Sequence, residues 1–128
     1  MFLSFDSQQR RREYGGSDFI ELQLCRLPAG TDIKKLVSVD NIANWLDDSL
    51  YVQDENLFYN RYSHIFDCGV YNNLCAGPVD VYGINYYSPE KVSAIIEKLE
   101  STQPEGYTAL LTWLKKAEVF NGIYILGL

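Results

Sequence analysis

The clearest pattern of apolar and polar positions lies in the last third of the chain. Val92, Ile95, Ile96 and Leu99 recur at i, i+3, i+4 and i+7, which lines one face of an α-helix. Ser88-Pro89-Glu90 stands just before them and supplies an N-cap hydroxyl, a proline in the first turn and an acid at the positive end of the dipole. Residues 102–106 break the pattern. Pro104-Glu105 predicts the start of another helix, with Tyr107, Leu110, Leu111, Leu114 and Ala117 on one stripe and Lys115 and Lys116 in its last turn. Asn121-Gly122 reads as a turn. Ile123 to Leu128 is a continuous apolar run, the signature of a buried strand.

Earlier segments carry weaker signals. Alternation from Ile20 through Leu22 and Leu24, with Glu21, Gln23 and Arg26 between, predicts a strand over 19–27 that Pro28-Ala29-Gly30 stops. Residues 6–17, with Arg10-Arg11-Arg12 and Gly15-Gly16, read as a loop or loose arm. Asp40 is placed to cap a helix containing Ile42, Ala43, Trp45 and Leu46. A second short helix is expected within 51–63. Gly69, Asn72-Asn73 and Gly77-Pro78 mark 67–80 as a loop, and the alternation at 79–86 reads as a strand. With no repeat and no linker, residues 1–128 are expected to form a single α+β domain: a mainly antiparallel sheet with three or four helices packed against it.

Composition narrows the function classes. The 128 residues are 47% hydrophobic, which argues against disorder. No apolar run reaches the roughly 18–20 residues that span a bilayer. Phe2-Leu3 precedes the arginines, the reverse of a secretory signal, so a cytoplasmic protein is expected. Cys25, Cys68 and Cys75 are odd in number and lack zinc-knuckle spacing. They read as reduced thiols, with a Cys68–Cys75 bridge possible only in an oxidising compartment.

The net charge is −6, and its excess sits in the middle. Residues 31–80 hold eight acids against Lys34, Lys35 and Arg61, a net of −5. Such a region repels nucleic acid and anionic lipid and attracts basic partners; it also serves as a plain solvated face.

Candidate chemistry is sparse. His64 is the single histidine and has no second metal ligand at a recognisable spacing. Cys68 or Cys75 could pair with it, but no flanking motif supports a nucleophile. Asp47-Asp48 and Asp54-Glu55 are adjacent acids rather than carboxyls facing across a cleft. Neither glycine-rich phosphate motif is present, so no cofactor is expected. Ten tyrosines, six phenylalanines and two tryptophans remain. Trp45, Tyr51, Phe58, Tyr59 and Tyr62 interleave with Asp47, Asp48, Asp54 and Glu55. That mixture suits a surface where acids steer and aromatics anchor a basic partner. It equally suits a surface helix whose aromatics face inward.

Tyr82-Gly83-Ile84-Asn85-Tyr86-Tyr87-Ser88-Pro89-Glu90-Lys91-Val92, with the second helix and Asn121-Gly122-Ile123-Tyr124-Ile125-Leu126, resembles the C-terminal half of small bacterial proteins of the YfbM-like kind. It also resembles immunity proteins of contact-dependent growth inhibition and related polymorphic toxin systems. The resemblance covers residues 79–128 and rests on a helix cap and core positions. It implies a cytoplasmic inhibitor that binds a cognate toxin domain and blocks its active site, many such toxins being basic nucleases. The partner-binding residues expected on that reading are Trp45, Asp47, Asp48, Tyr51, Asp54, Glu55 and Tyr59, with no catalytic residue, metal, nucleic acid or membrane. The alternatives are a small enzyme or ligand-binding domain with a tyrosine-lined pocket at Tyr82, Tyr86 and Tyr87, or a non-catalytic adaptor subunit.

Overall fold

The computed structural model describes residues 2–14 and 19–127. Among them, seven strands form one antiparallel sheet in the order β1 (Phe2–Leu3), β3 (Leu50–Val52), β2 (Ile20–Leu24), β7 (Ile123–Leu126), β6 (Ile84–Tyr87), β4 (Gly69–Tyr71) and β5 (Ala76–Gly77). Five helices accompany it: α1 (Gln8–Tyr14), α2 (Ile33–Leu36), α3 (Glu55–Tyr62), α4 (Pro89–Thr102) and α5 (Tyr107–Lys116). The expected α+β class with an antiparallel sheet is the class observed.

Strand parity explains the layers. In β2, Ile20, Leu22 and Leu24 join Leu50, Val52, Tyr87, Ile123 and Ile125 on one face, because residues two apart share a side of the pleat. Helices α3, α4 and α5 cover that face with Phe58, Tyr62, Val92, Ile95, Leu99, Leu110, Trp113 and Leu114. The helix start at Ser88 is as expected, its hydroxyl accepting from Lys91 N at 3.4 Å. The second helix begins later than Pro104-Glu105, after Gly106 in a left-handed conformation, and its buried stripe includes Trp113.

The opposite face of the sheet is also covered. Beyond β2 the chain folds back over it as residues 25–49. Leu36 and Val37 pack with Cys25, Tyr86, Tyr124 and Leu126, and Tyr124 donates to Leu36 O at 2.5 Å. β2 and β7 are therefore buried on both faces. Glu21 and Gln23, which alternate with the apolar residues, are interior side chains.

Four expectations need correction. Residues 8–14 form helix α1 rather than a loose arm, and Arg11 is buried; Gly15-Gly16 lies outside the described residues. The helix expected after Asp40 is only a 3-10 turn, Val39–Asn41, capped by Ser38. Its continuation is prevented because Glu21 takes the backbone N–H groups of Trp45 and Leu46. Residues 67–80 contain the hairpin β4–β5. The strand expected at 79–86 starts only at Ile84, because Asp80 turns the chain: its carboxylate accepts from Tyr82 N at 2.9 Å and its carbonyl from Asn85 Nδ2 at 2.8 Å. The short helix expected within 51–63 is α3.

Gly122 illustrates how tightly the C-terminal strand is fitted. It has φ +89°, and a Cβ there would overlap the Tyr87 carbonyl, so both conformation and space demand glycine.

Five interior tyrosines make the fold alkali-sensitive. Burial pushes Tyr51 and Tyr86 up to about 12, with the Glu21 charge adding to burial at Tyr51. Burial also raises Tyr62, Tyr87 and Tyr124. An unfolded phenol ionises near 10, so above that pH the folded state holds more protons than the unfolded one. The stability from burying neutral phenols is complete below pH ~10 and falls as pH rises toward the folded values. A phenol held neutral in the folded state contributes a slope of at most about 1.4 kcal/mol per pH unit between its unfolded and folded values, so several together remove a substantial part of a domain's roughly 5–15 kcal/mol. Far-ultraviolet circular dichroism and the ring NMR shifts of these five tyrosines should therefore change in one coincident step above pH ~10; ionisation of the five with the dichroism intact would contradict it.

Candidate functional site

Residues 43–48 cross the second face of the sheet without regular structure, yet their backbone is held by side chains at four of the six positions. Gln23 Nε2 donates to Ala43 O. Glu21 Oε1 accepts from Trp45 N at 2.7 Å, and Glu21 Oε2 accepts from Leu46 N at 3.0 Å. Gln8 Nε2, from α1, donates to Trp45 O. Tyr51 Oη donates to Leu46 O at 2.7 Å. From the other face, Trp113 Nε1 donates to Asp48 O at 2.9 Å. The segment is a loop by topology, with the hydrogen bonding of a core element.

Glu21 is the centre of this arrangement. It is 3% exposed, and a buried carboxylate survives only where donors replace its water. Besides the two amides, it accepts from Ser49 Oγ at 2.6 Å and Gln23 Nε2 at 2.9 Å. Arg11 lies nearby, 2% exposed. Its guanidinium carbon is 4.7 Å from the Trp45 ring centroid, 5.1 Å from Tyr51 and 5.5 Å from Phe19, in cation–π range of all three. Phe5, Phe19 and Tyr51 pack around it at centroid separations of 5.4–5.9 Å.

Two features of the loop face outward. Trp45 is 44% exposed although one side of its ring rests on Arg11. Its backbone is left-handed, with φ +64°. That region is an outlier for a bulky residue and costs about 1–3 kcal/mol. Asp47 is exposed beside it and shares the Gln8 amide.

The residues expected to contact a partner divide into three groups. Trp45, Asp47 and Asp48 are exposed together on this loop, Asp48 being paired with Arg26. Asp54, Glu55 and Tyr59 lie beyond the far end of β3, on and before α3. Asp54 serves there as the helix N-cap, accepting from Leu57 N at 2.9 Å. Tyr51 is 1% exposed and belongs to the interior: β-pleat parity sends it beneath the loop beside Glu21. The seven residues therefore do not form one patch. Glu21, Gln23, Gln8 and Arg11, which shape the loop, were not legible as site residues. The one hint in the sequence is a glutamate in a strand whose apolar neighbours alternate with it.

Several of the other acids in 31–80 also have local structural partners. Asp32 caps α2 through Lys34 N, Asp80 closes a turn, and Asp67 pairs with Lys98 at 3.2 Å. The tyrosine-lined pocket does not form. Tyr87 points to the helical face and donates to Phe66 O, Tyr86 points to the opposite face and donates to Asn121 O, and Tyr82 is exposed in a turn. His64 is exposed. Cys25, Cys68 and Cys75 are free thiols, Cys25 buried and Cys75 exposed; burial pushes the Cys68 thiol up. Among the described residues, no three His, Cys, Asp or Glu side chains are grouped to hold a metal, and no helix is long and apolar enough to cross a membrane.

Comparison of the chain with family models, with curated proteins and with solved structures finds no match in any of the three.

Removing the Glu21 carboxylate should release the loop. Glu21→Ala leaves two backbone amides, a hydroxyl and a carboxamide without their acceptor, at an expected cost of about 3–5 kcal/mol. Glu21→Gln retains one acceptor oxygen and should cost less. Urea unfolding gives both values, and amide exchange at Trp45 and Leu46 should accelerate in the alanine variant. Unchanged exchange at those two amides would show that the loop is held by other means.

Proposed function

We propose that this chain is an immunity protein: a domain that neutralises a cognate bacterial toxin in the cytoplasm by binding it directly, with no chemistry of its own. The observation that carries the proposal is the outward-facing Trp45, held in a strained left-handed conformation on a loop whose backbone is fixed by buried side chains. Strain of this kind persists only where surrounding structure enforces it, and it concentrates at binding sites. A large aromatic already fixed in place loses little conformational entropy on association, which is what makes tryptophan effective at interface hot spots.

Charge supports a basic, nuclease-type toxin as the partner. The chain is net −6, and Asp40 and Asp47 are exposed on the segment that carries Trp45. Asp48 contributes less, since Arg26 neutralises it. Arg10 and Arg12 are exposed on the helix that supplies Gln8, so steering is assigned to Asp40 and Asp47 rather than to the whole acidic set. The resemblance of residues 79–128 to immunity proteins points the same way.

The test begins with the toxin domain encoded beside this chain, co-expressed with it to measure protection and complex formation. For the purified pair, Trp45→Ala should mainly speed dissociation, by about thirtyfold for a 2 kcal/mol hot spot. Asp40→Lys with Asp47→Lys should mainly slow association and flatten its salt dependence. A complex whose rates ignore Trp45 would place the binding surface elsewhere; a neighbouring toxin that is neither bound nor neutralised would remove the immunity reading itself.

A further inference from the structure

A shallow groove of about 340 Å³ opens on the same face of the sheet, beside the pinned loop. It is lined by Ile84 and Leu126 of the sheet and by Val39, Ile42, Asn44 and Tyr82 from the segments that cross it. Val39 is 62% and Tyr82 67% exposed, so apolar surface is left open to solvent. The groove and the loop are parts of one surface. Ile84 pairs with Leu126, Leu126 with Glu21, and Glu21 with Tyr51 across β6, β7, β2 and β3. Along this single cross-strand row the loop roofs Glu21 and Tyr51, while Leu126 and Ile84 line the groove. Strands lie about 4.8 Å apart, so the row is roughly 15 Å long, shorter than the roughly 28 Å across a patch of about 800 Å² that one partner covers on a standard interface.

The chemistry of the groove selects its occupant. Its volume is at the low end of the roughly 300–1,000 Å³ typical of small-molecule sites, and no charged side chain lines it. Asn44 and Asn72 supply amides at its margins, each able to donate and accept as a peptide backbone requires. The charge at the rim is acidic. One Asp80 oxygen holds Tyr82 N and the other lies against Gly83, itself a lining residue; Asp40 is exposed next to Val39.

We infer that this groove seats an extended segment of the partner in which apolar side chains alternate with lysine or arginine, next to the body docked on Trp45. The inference rests on the partner-binding reading for its biological setting. Its recognition chemistry is tested separately, without the toxin. Extended chains place alternate side chains on opposite sides, so apolar residues enter the groove while the lysines or arginines between them leave on the outer side, with stems long and flexible enough to bend back to Asp80 and Asp40 at its rim.

The probe is a capped five-residue peptide alternating lysine with isoleucine, titrated into the isotope-labelled protein and followed by amide chemical shifts. Saturable shifts are expected at Asn44, Gly83, Ile84 and Gly127. The counterpart alternating glutamate with isoleucine should bind at least tenfold more weakly. Tyr82→Ala, at an exposed turn position, should weaken the lysine peptide by a similar factor, whereas Trp45→Ala should leave it unchanged. Three results would overturn the assignment: no saturable shift at these amides, equal response to both peptides, or shifts there that grow with protein concentration alone, which would mean that a second copy of the chain occupies the groove. Loss of toxin binding in Trp45→Ala with peptide binding intact separates the two readings; a groove that ignores the peptide while toxin binding persists rejects this one alone.

Discussion

The fold of the second sheet face depends on one buried carboxylate. Glu21 sits on a strand with apolar residues on both sides and would be unacceptable there without donors. The chain supplies them by laying residues 43–49 over it, so that two backbone amides and the Ser49 hydroxyl join the Gln23 carboxamide of the same strand on its oxygens. The same bonds forbid a helix at 42–46, force Trp45 into its left-handed conformation and fix where Asp47 emerges. Satisfying a charge in the interior and shaping a surface are here the same event.

Arg11 makes the arrangement tighter. Its charge is not placed against a carboxylate among the described residues; it is enclosed by the faces of Trp45, Tyr51 and Phe19. Those rings partly offset its lost hydration through their quadrupoles, and they join α1 to the loop and to β3. The N-terminal helix is thus tied to the site through a cation whose sequence context, three consecutive arginines in a polar stretch, suggested a solvated arm. Only one of the three is interior, and triplet composition cannot say which.

The contrast between the two sheet faces explains what could be read from the chain. The helical face is built from periodic apolar positions, and Val92, Ile95 and Leu99 or Ile123 and Ile125 declare themselves by spacing alone. On the opposite face, beside a smaller apolar cluster, the loop is held by polar side chains whose partners lie 20–25 residues away, such as Gln23 with Ala43 and Glu21 with Leu46. Nothing local distinguishes a buried, satisfied glutamate from an exposed one. The same blindness hid Tyr51: the short Leu50-Tyr51-Val52 run is flanked by Asp47, Asp48, Gln53, Asp54 and Glu55 in sequence, while the ring's neighbours in space are Phe5, Phe19 and Arg11. Acid enrichment was visible, but much of it went to helix caps, turns and ion pairs.

Most of the pins on residues 43–48 attach to backbone atoms: the carbonyls of Ala43, Trp45, Leu46 and Asp48 and the amides of Trp45 and Leu46. Backbone atoms are common to every residue type. Side chains at 43 and 44 can consequently be exchanged with little disturbance to the scaffold beneath them, and the left-handed position at 45 accepts asparagine or glycine more readily than tryptophan. Such a surface can drift to a new specificity one substitution at a time while its supports stay in place, and it offers the same freedom to a library built on this chain.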